Sequence, residues 1–252
     1  MTVWFVGAGP GDPELITLRG ARLLREAELV VYAGSLVNKA VLIHANPGAL
    51  LIDSASLALD ELVGIMAEAV TKGRQVVRLH TGDPALFGAI QEQMDALQQL
   101  GIKSVMVPGV SSYAAAAAAV GRELTMPEIT QTVIITRMGG RTPVPEKENL
   151  RSLASHQAAM CIFLSVGMIE QVVSELLSAY PKETPVAVVE KASWPEERVI
   201  QGTLAEIAQK VSEAGVTKTA MILVGDFLAG EKKRKSRLYA ADFSHGFREE
   251  KK

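Results

Sequence analysis

Three glycine-containing turns each follow a β-rich run and carry side chains that could bind a ligand. They read GAGPGD at residues 7–12, HTGDP at residues 80–84 and VPGVSS at residues 107–112. Their carboxylates, hydroxyls and amides could hold a small polar molecule, because ligands of open α/β sheets bind at the carboxyl ends of strands. For Asp83 two interpretations stand: a polar contact to a ligand, or a cap on a helix that begins near Leu86.

The first turn does not fit a dinucleotide-binding site. The G-x-G-x-x-G pattern requires glycine at the position of Asp12. Pro10 lacks the backbone N–H that a phosphate would accept, and the Asp12 carboxylate would repel a pyrophosphate. A nucleotide-dependent oxidoreductase is therefore disfavoured. For residues 7–12 we therefore prefer the interpretation of a loop that lines a cleft to that of a glycine turn that contacts no ligand.

The remaining reactive residue types form no catalytic or metal-binding pattern. His44, His80, His156 and His245 are scattered along the chain without metal-ligand spacing. Cys161 is the only cysteine and lies in the apolar run AMCIFL, which favours an inert buried side chain. An enzyme made of these residues would work mainly by binding and orienting its reactants, without a metal.

The composition is that of an ordinary globular protein. The chain has 252 residues, of which 48% are hydrophobic and 21% charged, and its formal net charge is -2. That charge disfavours nucleic acid as a partner, and no apolar run is long enough to span a bilayer. Residues 1–7 form a strand pattern without the basic region of a signal peptide. Together these features predict a cytoplasmic protein.

The elements that must position the turns alternate between strand and helix. Apolar residues recur at helical spacing in residues 62–70, 87–97 and 169–177. This alternation predicts an α/β fold with largely parallel sheets. The strands are predicted at residues 2–7, 28–32, 75–80, 103–107, 131–136, 159–165, 185–190 and 219–224.

A break near the middle of the chain predicts two domains. The segment GRELTMPE at residues 121–128 interrupts the alternation, and a fresh strand follows it. We expect an N-terminal α/β domain at residues 1–125 and a C-terminal α/β domain at residues 126–252, the latter with a basic tail at residues 232–235. Each is long enough for its own core, and a cleft between two such domains is a favoured ligand site.

A fourth turn follows the strand that ends in Tyr32. In the segment VVYAGSLV the tyrosine is followed by three small residues, Ala33, Gly34 and Ser35. A plain turn is one explanation. The other is that a large ligand approaches the backbone here, which residues without bulky side chains would permit.

Together these segments resemble the tetrapyrrole methylase family. The runs GAGPGDPELITLRG, RLHTGDPALFG, VPGVSS, FLSVG and VVEKASWPEERVIQGTL match in the family's order over nearly the whole chain. The resemblance implies two α/β domains, S-adenosylmethionine (SAM) as cofactor in the cleft between them, and a homodimer. The SAM contacts that it implies are Pro10, Thr81, Gly82, Asp83, Leu86, Ser111, Ser112, Leu164, Ala192 and Ala220.

Within the family, the runs YAGSLVN, TRMGGRTPVP, KASWPEE and SRLYAADFSH resemble the branch that methylates carbon 11 of precorrin-4 or its cobalt form in cobalamin biosynthesis. In the family's uroporphyrinogen methyltransferases an aspartate credited as a base follows the strand tyrosine, whereas here Ala33 follows Tyr32. A basic residue further along in those enzymes is also missing, and Asp53 and Ser54 lie in that region. The resemblance therefore argues against uroporphyrinogen III as the substrate.

The implied reaction is methyl transfer from the sulfonium of SAM to an electron-rich ring carbon, in which alignment of the reactants does most of the catalysis. No catalytic residue is identified, and Tyr32 and Asp12 are the candidates. The small residues would admit the macrocycle, and basic side chains could pair with its carboxylates or simply be solvated. The substrate-binding residues predicted on this basis are Tyr32, Gly34, Ser35, Arg137, Arg141 and Lys191.

Two alternatives remain open at this point. An enzyme of the same fold could methylate another precorrin carbon, such as C17 or C20, or uroporphyrinogen III. A protein of a different class, a non-catalytic SAM-binding α/β protein, would bind SAM without transferring its methyl group.

Overall fold

The structure of the protein is a computed structural model that describes residues 2–34, 36–140, 142–230, 244 and 246. The predictions for Ser35, Arg141 and the basic tail lie outside these residues. The described residues form ten β-strands and seven α-helices. None of the helices in these ranges is both long enough and apolar enough to cross a membrane.

The strands and helices alternate along most of the chain. The strands are β1 (Thr2–Gly7), β2 (Leu29–Tyr32), β3 (Leu50–Asp53), β4 (Val76–His80), β5 (Lys103–Val107), β6 (Val133–Arg137), β7 (Ala159–Phe163), β8 (Pro185–Glu190), β9 (Arg198–Thr203) and β10 (Ala220–Val224). The helices are α1 (Leu18–Glu26), α2 (Leu59–Thr71), α3 (Gln91–Gln99), α4 (Ser112–Ala119), α5 (Leu150–Ala154), α6 (Ile169–Leu176) and α7 (Ile207–Glu213).

The chain divides into two compact units. The first contains the described residues up to Ala119 together with Lys191–Arg198, and the second contains Val120–Glu190 and the described residues from Val199 onward. The sequence placed a single boundary between residues 125 and 126, which stays a prediction. The packing of Lys191–Arg198 with the first unit had no counterpart in the sequence pattern.

The first unit contains a fully parallel sheet with strand order β3-β2-β4-β1-β5. Tyr32 at the end of β2 is aligned with Asp53 at the end of β3, and Gly7 at the end of β1 with His80 at the end of β4. Val107 at the end of β5 is aligned with Val6. The carboxyl ends of all five strands therefore meet at one edge of the sheet, where a ligand site is expected.

Helices cover both faces of this sheet, because its strands carry apolar residues on both sides. Leu24 of α1 belongs to a core that includes Val30 of β2, whereas Met66 of α2 belongs to a second core that includes Phe5 of β1. Burial of each such large apolar side chain contributes about 1.5–3 kcal/mol. The two cores hold the strand ends, and so the turns that follow them, in fixed positions.

The second unit contains a mixed sheet with strand order β6-β7-β10-β8-β9. β6 runs parallel to β7, whereas β10 runs antiparallel to both β7 and β8. The predicted α/β fold is confirmed, but the expected parallel arrangement holds only in the first sheet. Apolar periodicity reports which faces are buried and not the direction of a strand, so it did not reveal the reversal of β10.

The sequence pattern missed β3 and β9 and began one helix too early. Both strands lie at the edge of their sheets, and most of their residues are exposed or half-buried. Such strands lack the continuous apolar run of a central parallel strand. The apolar spacing predicted a helix from Phe87 onward, but α3 begins only at Gln91. Phe87 and Ala89 have left-handed backbone angles, with φ of 55° and 46°, and so cannot belong to a right-handed helix.

Two polar side chains, Arg78 and His80, are buried in β4. Arg78 Nε donates to Gln93 Oε1 (3.1 Å), and its Nη1 donates to Ser54 Oγ (3.0 Å). The ring of His80 stacks on Phe5 with centroids 5.9 Å apart, and its Nε2 has no hydrogen-bond partner among the described residues. Burial, and secondly the charge of Arg78, lowers the pKa of His80 to about 3. His80 is therefore neutral in the folded protein near pH 7.

Protonation of His80 should make the folded protein less stable in acid. Its folded-state pKa is about 3, below an unfolded value of about 6.5. The unfolded chain therefore binds a proton that the folded chain excludes, and the stabilisation present above about pH 6.5 is lost as the pH falls towards about 3. His80→Phe, which keeps a ring against Phe5, should flatten the pH dependence of the unfolding free energy by up to about 1.4 kcal/mol per pH unit.

Urea unfolding of both proteins between about pH 6 and about pH 4 measures this difference in slope. The exposed His156 supplies the matched control, His156→Phe, which should leave the slope unchanged. A slope in His80→Phe equal to that of the wild type would contradict the prediction.

Candidate functional site

The turns after β1 and β4 are joined backbone to backbone. Gly9 N–H donates to the carbonyl of Gly82 (3.3 Å), and Gly82 N–H donates to the carbonyl of Gly9 (2.8 Å). Both residues have left-handed backbone angles, with φ of 77° and 59°, a region that glycine adopts without steric cost. Two of the three turns singled out in the sequence therefore form one rigid structure.

The turn after β5 packs against the other two with no space for side chains. A Cβ atom on Gly7 would lie 2.6 Å from both Gly109 Cα and the Gly82 carbonyl oxygen. A Cβ atom on Gly109 would overlap the same Gly82 oxygen. Glycine at these positions lets the three strand ends approach within backbone contact, which brings together the predicted SAM-binding residues of all three turns.

Asp83 ties the β4 turn to the β5 turn. Its Oδ1 accepts from Ala85 N–H (2.8 Å), and its Oδ2 accepts from Gly109 N–H (3.0 Å). No helix begins near Leu86, so Asp83 stabilises a turn and not a helix start. The predicted polar contact between Asp83 and SAM stays a prediction, and it would use the remaining lone pairs of the carboxylate.

The last turn places two hydroxyls at the start of α4. Ser111 is buried and lies next to Gly82, whereas Ser112 is half-buried and is the first residue of the helix. The backbone N–H groups of Ala114 and Ala115 already bond to the Ser111 carbonyl. The amides before them, together with the hydroxyls, could hold a carboxylate.

The segment Lys191–Arg198, called here the Trp194 segment, packs on the β1 turn. Trp194 Nε1 donates to the Pro10 carbonyl (2.9 Å), and Asp12 N–H donates to Ser193 Oγ (3.0 Å). A Cβ atom on Gly11 would overlap the indole ring. The predicted residues Pro10, Asp12 and Ala192 therefore belong to one packed structure, although about 180 residues of sequence separate its two halves.

The backbone of the Trp194 segment is strained. Lys191 and Ser193 have φ of 48° and 69°, values that cost energy in residues with a Cβ atom. Strain of this kind concentrates at functional sites, because the surrounding structure must hold it in place. The Lys191 ammonium lies 5.6 Å from the Trp194 ring centroid and 3.9 Å from Glu196, so substrate carboxylates would compete with both. Its role in substrate binding stays a prediction.

Loss of the hydrogen bond from Trp194 should weaken SAM binding moderately. Trp194→Phe keeps an aromatic ring above Gly11 but cannot donate to the Pro10 carbonyl, and a hydrogen bond of this kind contributes about 0.5–1.5 kcal/mol. We expect a Kd for SAM about 3- to 10-fold higher, measured by isothermal titration calorimetry. Trp4→Phe in β1 is the matched control, and equal Kd values in the two variants would contradict the prediction.

The structure at the end of β2 differs from the expectation that a ligand can reach the Tyr32 side chain. The Tyr32 side chain is only 8% exposed and belongs to the core beside α1. Its carbonyl accepts from both the N–H and the Oγ of Ser54. The accessible groups here are therefore those of the turn that follows, where Gly34 N–H donates to Asp53 Oδ1 (3.1 Å). The catalytic and substrate-binding roles of Tyr32 stay predictions.

Three predicted residues of the second unit lie at one edge of its sheet. Arg137 ends β6 and is aligned with Phe163, the last residue of β7, and Leu164 follows directly. Ala220 begins β10 opposite Glu190 at the end of β8. Leu164 is 63% exposed and has a φ of 52°, and such an exposed, strained leucine fits a ligand contact.

Arg137 uses its guanidinium within its own loop. Nη1 donates to the Thr142 carbonyl (3.1 Å), and Nη2 donates to the Pro143 carbonyl (2.8 Å). A carboxylate of the substrate would have to bind the donors that remain or displace these carbonyls. The sequence does not reveal this loop geometry, and the role of Arg137 in substrate binding stays a prediction.

An open groove of about 350 Å³ in the second unit is lined by none of the predicted residues. It runs between the start of α6 and the end of α7, and Glu170 is the one titratable side chain among its described lining residues. We assign no role to it. In the ranges that the structure describes, no group of three or more His, Cys, Asp and Glu side chains is placed to hold a metal ion.

Comparisons with known proteins point to one family. The family description "Tetrapyrrole (Corrin/Porphyrin) Methylases" matches residues 2–208. A protein of Methanocaldococcus jannaschii named cobalt-precorrin-4 C(11)-methyltransferase is 52% identical over 251 residues, which cover 99% of this chain and 97% of that protein.

Two solved structures are similar to the chain. The X-ray structure of a cobalt precorrin-4 methyltransferase, described as a cobalamin biosynthetic enzyme, has a TM-score of 0.88 and 46% identity, and the match covers 90% of this chain and 95% of that one. A uroporphyrin-III C-methyl transferase from Thermus thermophilus, complexed with S-adenosylhomocysteine, has a TM-score of 0.77 and 30% identity, and the match covers 91% of this chain and 99% of that one.

Proposed function

This chain belongs to the tetrapyrrole (corrin/porphyrin) methylases, and from that membership we propose that it is a SAM-dependent methyltransferase acting on C11 of precorrin-4 or cobalt-precorrin-4 in cobalamin biosynthesis. One observation carries the proposal: a cobalt-precorrin-4 C(11)-methyltransferase is 52% identical to the chain over almost its full length. The departure of the β2 turn from the uroporphyrinogen pattern, with Ala33 after Tyr32, supports the same substrate.

The turns of the first unit fit SAM as the methyl donor. The Thermus relative was solved with S-adenosylhomocysteine, which is SAM without its transferable methyl group. When bound, SAM supplies a methyl group on a positively charged sulfur. Asp83, Ser111 and Ser112 offer a carboxylate and two hydroxyls beside close-packed glycine backbones, and these groups suit an amine, a ribose and a carboxylate.

The protein's contribution to the reaction is mainly positional. The hydrogen bonds between the glycine turns, those accepted by Asp83 and the one donated by Trp194 hold the strand ends of the first unit rigidly. Alignment of two reactants on such a frame can lower a barrier by about 7–11 kcal/mol. Exclusion of water would favour the reaction further, because the positive charge on sulfur is neutralised as the methyl group leaves.

The acceptor carries several carboxylates, which we propose to be bound by basic residues. Lys191 could offer its ammonium directly, whereas Arg137 would act through its remaining donors and through the loop that it holds. Arg141 is proposed on sequence grounds alone. Cobalt, where present, would arrive inside the substrate and is not a cofactor of the protein.

The experiment that tests the proposal is direct. The purified protein is incubated with methyl-labelled SAM and, separately, with precorrin-4, cobalt-precorrin-4 and uroporphyrinogen III, and the label is located by NMR. We expect label at C11 of a precorrin-4 form, and the faster of the two identifies the natural substrate. Label at C17 or C20, label only in uroporphyrinogen III, or SAM binding without transfer would each overturn the proposal.

We also propose that the protein works as a homodimer in the cytoplasm without a nucleic-acid partner. The homodimer follows from the family resemblance, and the formal net charge of -2 supports the absence of nucleic acid. Sedimentation equilibrium should give twice the chain mass of 26.9 kDa. The mass of a single chain would contradict the dimer.

A further inference from the structure

Asp53 presents an ordered carboxylate at the carboxyl edge of the first sheet. It ends β3 and is aligned with Tyr32 at the end of β2. Its Oδ1 accepts from Gly34 N–H (3.1 Å) and from Ala55 N–H (2.9 Å). The residue is exposed, and its Oδ2 accepts no hydrogen bond among the described residues. One oxygen therefore fixes the carboxylate and the other is available to a ligand.

Gly34 is small because the Asp53 carboxylate lies over it. A Cβ atom on Gly34 would overlap Oδ2 and Cγ of Asp53. Any other residue at this position would push the carboxylate away from its two amide donors. The small residues after Tyr32 thus have a function beyond admitting a ligand to the backbone, since one of them makes room for a charged group.

A buried network holds the backbone beside Asp53. The guanidinium of Arg78 donates to Ser54 Oγ (3.0 Å) and to the Val31 carbonyl (3.3 Å). Ser54 Oγ in turn donates to the Tyr32 carbonyl (3.1 Å). The ends of β2 and β3 are therefore locked together directly beneath the carboxylate. Support of this kind is what a reacting group needs to keep its geometry.

The sheet order places Asp53 beside the proposed SAM-binding turns, although Asp53 belongs to none of them. Neighbouring strands are about 4.8 Å apart, so the end of β3 lies roughly 10 Å from the end of β4, with β2 between them. A macrocycle whose reacting carbon faces the turns after β4 and β1 would extend over the end of β2 towards Asp53. The nitrogen bonded to the reacting carbon would then lie between that carbon and the carboxylate.

We infer that Asp53 is a catalytic residue that binds a pyrrole N–H of the acceptor and takes up its proton, an inference that rests on the proposed function. The ring carbon bonds to the methyl carbon while the C–S bond breaks, and the electron pair of that bond stays on sulfur. The positive charge passes to the macrocycle and is shared by the nitrogen of the attacked ring. The N–H proton then moves to Asp53 Oδ2, which leaves a neutral imine nitrogen, and later moves to water.

The test compares Asp53→Asn with the wild type in a single turnover with enzyme in excess. The amide oxygen of asparagine can still accept from Gly34 and Ala55, but asparagine is not a base. Because general bases contribute about 10²- to 10⁴-fold, we expect the methyl-transfer rate constant to fall by that factor. The Kd for SAM should stay within about threefold of the wild type. A rate decrease of less than about tenfold would overturn the inference.

Controls separate this inference from the proposed function and from loss of folding. Asp60→Asn, an exposed acidic residue in the first turn of α2, should leave the rate unchanged. If Asp53→Asn loses cooperative unfolding, Asp53→Ser takes its place, because a serine hydroxyl can accept from Ala55 N–H two residues on without acting as a base. Absence of transfer by the wild type refutes the proposed function, whereas transfer by both wild type and variant at equal rates refutes only the role of Asp53.

Discussion

Replacement of Asp83 by alanine should raise the Kd for SAM by about 30- to 100-fold. The variant loses the hydrogen bond from Gly109 N–H, which ties the β4 turn to the β5 turn, and the one from Ala85 N–H within the β4 turn. Hydrogen bonds to a charged group contribute about 1.5–3 kcal/mol each, and partial exposure of the carboxylate reduces that value. The expected loss of about 2–3 kcal/mol corresponds to this change in Kd.

The geometry also predicts the order of the variants. Asp83→Asn keeps one acceptor oxygen for Ala85 but turns an amide NH₂ group towards Gly109 N–H, so its affinity should lie between those of Asp83→Ala and the wild type. Asp95→Ala removes an exposed carboxylate from α3 and should bind SAM as the wild type does. Titration calorimetry measures all four proteins. An Asp83→Ala protein with the Kd of Asp95→Ala would contradict the proposed site.

Replacement of Gly109 by alanine should destabilise the first unit by about 3 kcal/mol or more. The new Cβ atom would overlap the Gly82 carbonyl oxygen and lie 2.8 Å from Gly7 Cα. Both neighbours are backbone atoms, so no side-chain rotation relieves the overlap. Overpacking usually costs about 1–3 kcal/mol, and the cost here should reach or exceed the upper end of that range. SAM binding should be lost with the geometry of the turns.

Gly64→Ala is the matched control, with an effect of opposite sign. Gly64 lies inside α2, and a Cβ atom there would meet no atom within 4 Å. Alanine should stabilise the helix by about 0.5–1 kcal/mol relative to glycine. Urea unfolding gives both values, and destabilisation by Gly64→Ala, or stability in Gly109→Ala equal to that of the wild type, would contradict this interpretation of the glycines.

The sequence alone predicted the α/β class, eight of the ten strands and the three glycine-containing turns at strand ends. These features are local. A buried parallel strand needs a continuous apolar run, and a turn that brings two backbones together needs glycine. Each of these features can be predicted from a single segment of sequence. The family resemblance, which rests on the same segments, implied the substrate and the cofactor.

Two edge strands could not be predicted from single segments in this way. β3 and β9 are largely exposed, so their apolar content does not distinguish them from loops. The miss at β3 had a consequence for the site, because Asp53 is aligned with Tyr32 only when β3 is placed beside β2. The sequence showed small residues after Tyr32, but it could not show which group lies over Gly34.

The contacts that complete the first unit were decided only by the tertiary structure. Trp194 bonds to Pro10 across 184 positions of the chain, and Arg78 reaches Val31 across 47. Local periodicity and turn chemistry describe what neighbouring residues favour, and so they determined the strands and turns of this protein. Which distant side chain closes a turn or supports a carboxylate depends on how the strands are ordered in the sheet, because only that order brings such residues within hydrogen-bonding distance.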